Sequence, residues 1–114
     1  MIEIVGNPKY KKVYLSGPIT GMSNKNIEEF EKYEEKFRNL NFEVVNPHKL
    51  HTKEEEEKYT WSQFMKVDIK AMMDCDFVAV LKGWEKSKGA NLEVYIARNI
   101  EMPIIDAVNL KEIF

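Results

Sequence analysis

The sequence predicts an α/β protein, a flavodoxin-like or Rossmann-like three-layer sandwich around a small parallel sheet with strand order 2-1-3-4 and a possible extra edge strand. Three observations predict this class. Short β-type segments at residues 11–16, 42–46 and 77–81 alternate with longer segments whose apolar residues recur every three or four positions. The segment FVAVL at 77–81 is apolar throughout, as in a parallel strand covered on both faces. Strands that alternate with helices favour a parallel sheet with right-handed crossovers.

The first strand and the first helix are joined by a turn-like loop. Residues 11–16, KKVYLS, form the strand, and a Gly-Pro pair ends it. The spacing predicts an amphipathic helix from Ile27 to Leu40. Its apolar positions are Ile27, Phe30, Tyr33, Phe37 and Leu40. Asn26, followed three residues later by Glu29, is the predicted N-cap with its reciprocal partner.

The middle of the chain predicts a second strand and a second helix. FEVVN at 42–46 is the strand, and a polar loop follows it to about Thr60. The charged run at 53–58 within that loop is predicted to be a solvated helix start or loop. The second helix is predicted over 61–74. Its apolar stripe consists of Trp61, Phe64, Met65, Ile69, Met72 and Met73.

The last third predicts one more helix and one more strand. A helix from about Ala90 to Asn99, with Leu92, Ile96 and Ile100 stacked on one face, leads to a short strand at 102–106. Residues 108–114 are compatible with a terminal turn of helix. At the start of the chain, IEIV at 2–5 is either an edge strand or a loose tail.

Length and composition narrow the class of protein. A chain of 114 residues predicts a single domain over 1–114, since two cores would each be too small. The formal charge of -2 gives no general drive toward nucleic acid or membrane. No apolar run of membrane length and no signal-peptide core are present, so we expect a cytoplasmic protein. Cys75, the one cysteine, excludes an internal disulfide and is predicted to be a buried packing residue.

Two loops are predicted to flank a ligand crevice. In the order 2-1-3-4, strands one and three are neighbours whose connections leave in opposite directions, and such sheets bind ligands beyond that point. SGPITG at 16–21 follows strand one, and GWEKSKG at 83–89 follows strand three. Their glycines let backbone N–H groups approach a ligand, although G-P-I-T-G is neither a P-loop nor a dinucleotide fingerprint. By itself, the spacing of the first loop favours an ordinary tight strand-to-helix turn.

Two carboxylates are candidates for chemistry. Glu93 is placed in the first turn of the last helix, where the helix dipole favours the ionised form of a nucleophile or simply stabilises the helix. Asp68 falls within the apolar stripe of the second helix, where a carboxylate is unfavourable unless it is paired, hydrogen-bonded or open to a cleft. Two carboxylates around one pocket are the minimum for cleaving a glycosidic bond through a covalent sugar intermediate, without a metal. A hydrogen-bonded structural aspartate is the alternative for Asp68.

Other polar and aromatic residues give weaker signals. His48 and His51 lie three apart in a polar loop without a third ligand, and we interpret them as solvent-facing rather than as a metal site. Asp76 is predicted to be a loop or strand-end residue. Four aromatic residues are compatible with stacking on a base or with packing. They are Tyr14, Trp61, Trp84 and Tyr95.

Three motifs, in this order and spacing, resemble a known family. They are VYLSGP at 13–18, Asp68 eight positions before Asp76, and S-x-G-x-x-x-E-x-x-x-A from Ser87 to Ala97. The chain from about 12 to 105 resembles the nucleoside 2-deoxyribosyltransferase superfamily. Within it, the chain more narrowly resembles the short phage and bacterial members grouped as a domain of unknown function, and the related 2'-deoxynucleoside 5'-phosphate N-hydrolases.

The resemblance implies a role for each matching residue. Glu93 matches the nucleophile that attacks C1' of the deoxyribose, Asp68 the catalytic aspartate near the leaving base, and Tyr14 the tyrosine that orients the nucleophile or sugar. The transferases carry an aspartate six residues before the nucleophile, whereas this chain has Ser87, as in the N-hydrolases. The residues implied to bind substrate are Ser16, Gly17, Pro18, Ile19, Thr20, Gly21, Ser87 and Gly89.

The implied activity is cleavage of the N-glycosidic bond of a 2'-deoxynucleoside or its 5'-monophosphate, with the sugar passed to water or to another base. A serine hydroxyl donates to a phosphate that an aspartate would repel, which favours the monophosphate. Against this, the 17–26 loop has no arginine, and only Lys25 and Lys88 supply positive charge. We expect no cofactor and no metal, a small-molecule nucleoside or nucleotide as partner, and, from the resemblance, a homo-oligomer. The alternative is a non-catalytic nucleotide-binding module that senses or sequesters its ligand.

Overall fold

The protein has a four-stranded, all-parallel sheet in the order 2-1-3-4, flanked by helices. The computed structural model describes residues 3–114. The strands are β1 (Lys12–Ser16), β2 (Glu43–Val45), β3 (Phe77–Val80) and β4 (Ile104–Asp106), and the helices are α1 (Ile27–Asn39), α2 (Lys53–Lys58), α3 (Trp61–Met73) and α4 (Lys88–Asn99). The predicted Rossmann-like class and strand order are therefore confirmed.

The alternation of side chains along β1 divides the core into two parts. Val13 and Leu15 point to the face covered by α1, where they join Phe30 and Phe37. Tyr14 points to the opposite face, with residues of α3 and α4. Because successive side chains of a strand alternate, Ser16 lies on the same face as Tyr14. Two polar residues of β1 therefore lie under α3 and α4.

The carboxyl ends of β1 and β3 lie side by side. Ser16 is in register with Val80, and the Leu81 N–H donates to the Ser16 carbonyl at 2.8 Å. Asp76 fixes the opposite end of β1, since its carboxylate accepts from the backbone N–H groups of Lys11 and Lys12 at 2.8 and 2.9 Å. The loops that follow β1 and β3 thus start from adjacent points at one edge of the sheet.

Three helices begin at side-chain caps. Thr52 at the start of α2 and Thr60 at the start of α3 each form a capping box. Ser87 caps α4, its Oγ accepting from the Ala90 N–H at 3.1 Å. The predicted cap of α1 is wrong: Asn26 is left-handed, makes no cap hydrogen bond, and donates from its side chain to the Pro18 carbonyl at 3.0 Å.

Several details differ from the sequence predictions. The charged run at 53–58 forms α2. Trp61 and Met73, assigned to the buried stripe of α3, are 39% and 48% exposed, because they lie at the two ends of the helix. Ile100 is exposed as well, and the buried face of α4 is formed by Ala90, Glu93, Val94 and Ala97.

The two chain ends also depart from regular structure. Residues 108–114 form a turn and a single antiparallel bridge from Glu112 to Ile105, and the terminal turn of helix with which the sequence is compatible does not form. Within residues 3–5 there is no strand, although Ile4 is buried in the core, and the first residue of the 2–5 segment lies outside the described part. Between residues 3 and 114, no helix is long and apolar enough to cross a membrane.

Candidate active site

Two hydroxyl groups of β1 hold the carboxylate of Glu93. The Tyr14 hydroxyl donates to Oε2 at 2.6 Å, and the Ser16 hydroxyl donates to Oε1 at 2.8 Å. All three residues are buried, with Glu93 on the inner face of α4. Each carboxylate oxygen therefore has its own donor, and the side chain is fixed by groups from a different element of the fold.

Burial dominates the electrostatics of Glu93. It raises the pKa of this carboxyl to about 7, against the opposing effect of the hydrogen bonds from Tyr14 and Ser16; the nearby charge of Asp68 raises it further. At neutral pH the group is therefore present in both protonation states. Burial, and then the charge of Glu93, raises the pKa of the Tyr14 phenol well above its ordinary value, so that this hydroxyl stays a donor.

The expected placement of Glu93 in the first turn of its helix is wrong. Helix α4 begins at Lys88, after the Ser87 cap, so Glu93 lies in the second turn. The unpaired N–H groups that carry the positive end of a helix dipole belong to the first turn. The donors that favour the ionised form are the two hydroxyls of β1 instead.

Asp68 lies in the middle of α3, on its buried face, and its partner is a histidine. Oδ1 of Asp68 is 2.9 Å from Nε2 of His51, and both side chains are almost fully buried. Burial raises the pKa of Asp68, and the hydrogen bond with His51 opposes that rise. The aspartate is thus paired, which is one of the arrangements that offset the cost of a carboxylate on an apolar helix face.

Glu93 and Asp68 line one cavity of about 220 Å³ at the carboxyl edge of the sheet. Tyr14 lines it as well, so the three residues predicted to be catalytic meet in one place. The volume is slightly below the roughly 300 Å³ at which ordinary ligand sites begin. A ligand of nucleotide size would therefore extend through the mouth.

The interpretation of the two histidines as solvent-facing is wrong. Both His48 and His51 line the cavity, and the His51 side chain is 5% exposed. The turn after β2, which starts at Asn46 and Pro47, folds this segment over the end of the sheet. The one signal in the sequence is indirect: a carboxylate predicted to be buried, Asp68, needs a partner from a neighbouring loop.

The loop after β1 contributes only part of its predicted residues to the cavity. Gly17, Ile19 and Thr20 line it, whereas Ser16, Pro18 and Gly21 do not. Gly17 has a packing role too, because a Cβ there would lie 2.9 Å from Cβ of Leu81. Gly21 makes a turn at φ +80°, which glycine adopts without strain.

The start of α4 forms another wall of the cavity through Ser87 and Gly89. Since the Ser87 oxygen accepts the capping bond from Ala90, its hydroxyl hydrogen is left to donate to a ligand. Gly89 allows close packing, because a Cβ there would lie 3.3 Å from the sulfur of Met65. Ser87 thus both caps α4 and lines the cavity, and Gly89, two residues later, lines the cavity as well.

The charged side chains at the cavity mouth come from the turn that precedes α1 and from helix α2. Lys25 and Glu56 both line the cavity and form an ion pair at 3.6 Å. Lys25 follows Asn24 and precedes Asn26 in a run of three left-handed residues, a costly backbone for residues other than glycine. Lys88, the other expected cation, has its Nζ 4.1 Å from the centre of the Trp61 ring.

Among the aromatic candidates, Trp61 lines the cavity, and Phe64, which was not a candidate, lines it as well. Tyr14 lines it too, but its hydroxyl is engaged with Glu93. Tyr95 is 66% exposed, and neither it nor Trp84 lines the cavity. Within residues 3–114, no group of three or more acidic, histidine or cysteine side chains is arranged to hold a metal ion.

Residues 11–106 match the family model described as "Domain of unknown function (DUF4406)". The chain belongs to this family. The motifs indicated short members grouped as a domain of unknown function, and this family is described as one. The description assigns no activity. A comparison with curated proteins finds no match.

Among solved structures, the DUF4406 chain is similar to "Solution Structure of BlsM", with a TM-score of 0.64 and 19% sequence identity. The similarity covers 87% of the DUF4406 chain. The chain spans 65% of the length of BlsM. At this identity the likeness concerns the fold alone. It supports the α/β architecture, while the chemistry has to be argued from the cavity.

Proposed function

We propose that the protein cleaves the N-glycosidic bond of a 2'-deoxynucleoside or its 5'-monophosphate, as an enzyme of the nucleoside 2-deoxyribosyltransferase-like type. The observation that carries the proposal is a carboxylate, Glu93, held by two hydroxyls in the wall of a cavity that a second carboxylate, Asp68, also lines. A buried, oriented carboxylate next to a second acid suits displacement at a sugar carbon. Nothing in this chemistry requires a metal.

Glu93 is the proposed nucleophile. One of its oxygens forms a bond to C1' as the bond from C1' to the base nitrogen breaks, and the electron pair leaves with the base. Tyr14 and Ser16 orient the carboxylate for this attack, which is worth a large rate factor in such displacements. Water or a second base then takes the sugar from the glutamyl ester, and Glu93 is regenerated.

Asp68 is proposed to act at the base, where the departing nitrogen needs a proton. It lines the same cavity as Glu93, and burial raises its pKa, which favours a protonated form that can donate. General acid assistance of this kind contributes about 10²–10⁴-fold to a rate. The two acids thus have separate tasks at the two ends of the bond that breaks.

The 5' end of the ligand is proposed to lie at the mouth, between the loop after β1 and the start of α4. Thr20 and Ser87 line this side and carry hydroxyl donors, and Lys25 supplies positive charge. Glu56 neutralises that charge in the ion pair, so a phosphate has to compete with it. These groups accept a nucleoside, and they favour a monophosphate when Lys25 turns from Glu56 to the ligand.

A second copy of the chain is proposed to cover the mouth. A cavity of about 220 Å³ does not enclose a whole nucleotide. A neighbouring protomer placed there completes the pocket and excludes water. This homo-oligomer is a proposal from the resemblance and the size of the cavity.

The test is base release. The native protein is incubated with a panel of deoxynucleosides and their 5'-monophosphates, and free base is measured by chromatography. Glu93→Gln keeps the size and can bond to both hydroxyls, as acceptor to one and donor to the other, but it cannot form the ester, so we expect loss of release by about 10³-fold or more. Glu31→Gln, at an exposed position on α1, is the matched control and is expected to behave as the native protein. No release by the native protein, or equal release by Glu93→Gln, contradicts the proposal.

The second candidate is a nucleotide-binding module without turnover. One observation favours it: both oxygens of Glu93 are engaged by hydroxyls, and burial raises its pKa to about 7, which reduces the ionised nucleophile at neutral pH. Calorimetry separates the two candidates. A bound deoxynucleotide that stays intact after long incubation supports the module, while free base supports the enzyme.

A further inference from the structure

We propose that His51 is a positioning residue that sets which oxygen of Asp68 faces the leaving base. Its Nε2–H donates to Oδ1 and leaves Oδ2 as the oxygen that carries the proton. The proposal rests on the proposed function, since it concerns the acid of the same reaction. It adds to that function a residue that none of the family motifs contains.

The contact between His51 and Asp68 is well shielded from water. Nε2 lies 2.9 Å from Oδ1, and the two side chains are 5% and 10% exposed. Hydrogen bonds in such surroundings are electrostatically stronger than exposed ones. Both residues line the cavity, so the pair lies at the place where a ligand would bind.

The ring of His51 is held in place by aromatic neighbours. Its centroid lies 4.8 Å from that of Phe64 and 5.7 Å from that of Tyr59, in both cases edge to face. Phe64 is one turn before Asp68 on α3, so the same helix carries the hydrogen-bond partner and one of the packing surfaces. The packing fixes the direction in which Nε2 points.

The burial of the second ring nitrogen indicates the tautomer. Nδ1 of His51 is buried without a hydrogen-bond partner in the described part of the chain. A proton on Nδ1 would be a buried donor without an acceptor, which is rarer in proteins than an unused lone pair. The hydrogen bonds therefore assign the proton to Nε2, which donates it to Oδ1 of Asp68.

This tautomer determines where Asp68 can hold a proton. Because Oδ1 accepts from His51, a proton bound to the carboxyl has to sit on Oδ2, and no hydrogen bond within residues 3–114 occupies Oδ2. When the glycosidic bond breaks, the electron pair moves to the base nitrogen, and the proton moves from Oδ2 to the base. Asp68 is left as a carboxylate stabilised by His51, and the water that hydrolyses the sugar ester returns a proton to Oδ2.

The experiment compares leaving groups that do and do not need a proton. The substrates are the deoxynucleoside 5'-monophosphate that the native protein cleaves best and its cationic N-methyl counterpart, with N7-methyl for a purine or N3-methyl for cytosine. A cationic base leaves as a neutral molecule and needs no proton. Base release is measured in single turnover for the native protein, His51→Leu and His51→Gln.

His51→Leu removes the donor, and it is expected to slow release of the unmethylated base by about 10- to 100-fold, a part of the usual general-acid effect. Release of the methylated base is expected to change by less than about threefold, which also shows that the variant is folded. His51→Gln carries an amide N–H near the position of Nε2 and is expected to restore most of the rate.

Two results overturn the inference. One is a His51→Leu variant that slows both substrates by the same factor or slows neither. The other is a His51→Gln variant as impaired as His51→Leu on the unmethylated base, since the donor would then be irrelevant. If the native protein releases neither base, the proposed function fails first, and the inference fails with it.

Discussion

Replacing Glu93 by glutamine is expected to stabilise the protein above neutral pH while it abolishes base release. The pKa of Glu93 rises from 4.5 to about 7 on folding, chiefly because of burial. Between these values the folded protein holds a proton that the unfolded chain has released, so stability falls as the pH rises. The loss is complete above the folded pKa. At 1.36 kcal/mol per pH unit, it amounts to about 3 kcal/mol.

The glutamine of the Glu93→Gln variant titrates nowhere in this range, and its amide keeps the size of the side chain and can still bond to Tyr14 and Ser16. The difference in unfolding free energy between the variant and the native protein should therefore be small near pH 4.5. It should grow by about 3 kcal/mol by pH 8. This is a large fraction of the roughly 5–15 kcal/mol that holds an ordinary domain together.

The assay is urea unfolding followed by circular dichroism at several values between pH 4.5 and 8, for the native protein, Glu93→Gln and the exposed control Glu31→Gln. The control retains Glu93 and changes only an exposed side chain. Its unfolding free energy should therefore vary with pH as that of the native protein does. If the profile of Glu93→Gln is parallel to both, Glu93 ionises as easily in the folded protein as in the unfolded chain. The argument from burial would then be refuted.

Three further perturbations test the site. Tyr14→Phe removes a hydrogen bond to the charged form of Glu93, which is worth about 1.5–3 kcal/mol. The pKa of Glu93 should rise, and the acidic limb of the pH profile for base release should move to higher pH by about one to two units. A limb that does not move contradicts the role of Tyr14. Ser87→Ala removes the cap of α4 and should lower the unfolding free energy by about 1 kcal/mol, measured by urea unfolding, and weaken binding of a monophosphate more than of the nucleoside, measured by calorimetry. Lys25→Gln should weaken monophosphate binding and Glu56→Gln should strengthen it, because breaking the ion pair from the acidic side frees the lysine; calorimetry that shows the same sign for both variants argues against phosphate at the mouth.

The strands and their order could be predicted because they depend on the local sequence pattern of each segment and on the order of the segments along the chain. The apolar run at 77–81 indicated a strand with both faces covered, and β3 is the buried centre of the sheet beside β1. The alternation of strands and helices then left few orders for a parallel sheet. The helix faces were predicted less well. Periodicity alone does not distinguish the ends of a helix from its middle. It therefore predicts that Trp61 and Met73 are buried, although both are exposed.

The candidate site could be predicted where a residue contradicted its surroundings. Asp68 stood out as an acid on an apolar face, and it lines the cavity with Glu93. His51 could not be found in that way, because its contact with Asp68 depends on how the segment after β2 folds over the sheet, and no local pattern encodes this path. The start of α4 at Lys88 was also missed, although Ser87 is an ordinary N-cap residue, and this error changed the electrostatic account of Glu93.

The polar residues of β1 indicate, on physical grounds, that the helix covering them carries a polar partner. Tyr14 and Ser16 alternate with Val13 and Leu15 on a strand that is buried on both faces. A buried hydroxyl needs a partner, and two of them on one face of one strand need it in the same place. The helix that covers that face must then bring a polar group inward, and Glu93 on the buried face of α4 is that group. The same reasoning explains why its carboxylate is fixed at the carboxyl edge of the sheet, since Ser16 is the last residue of β1.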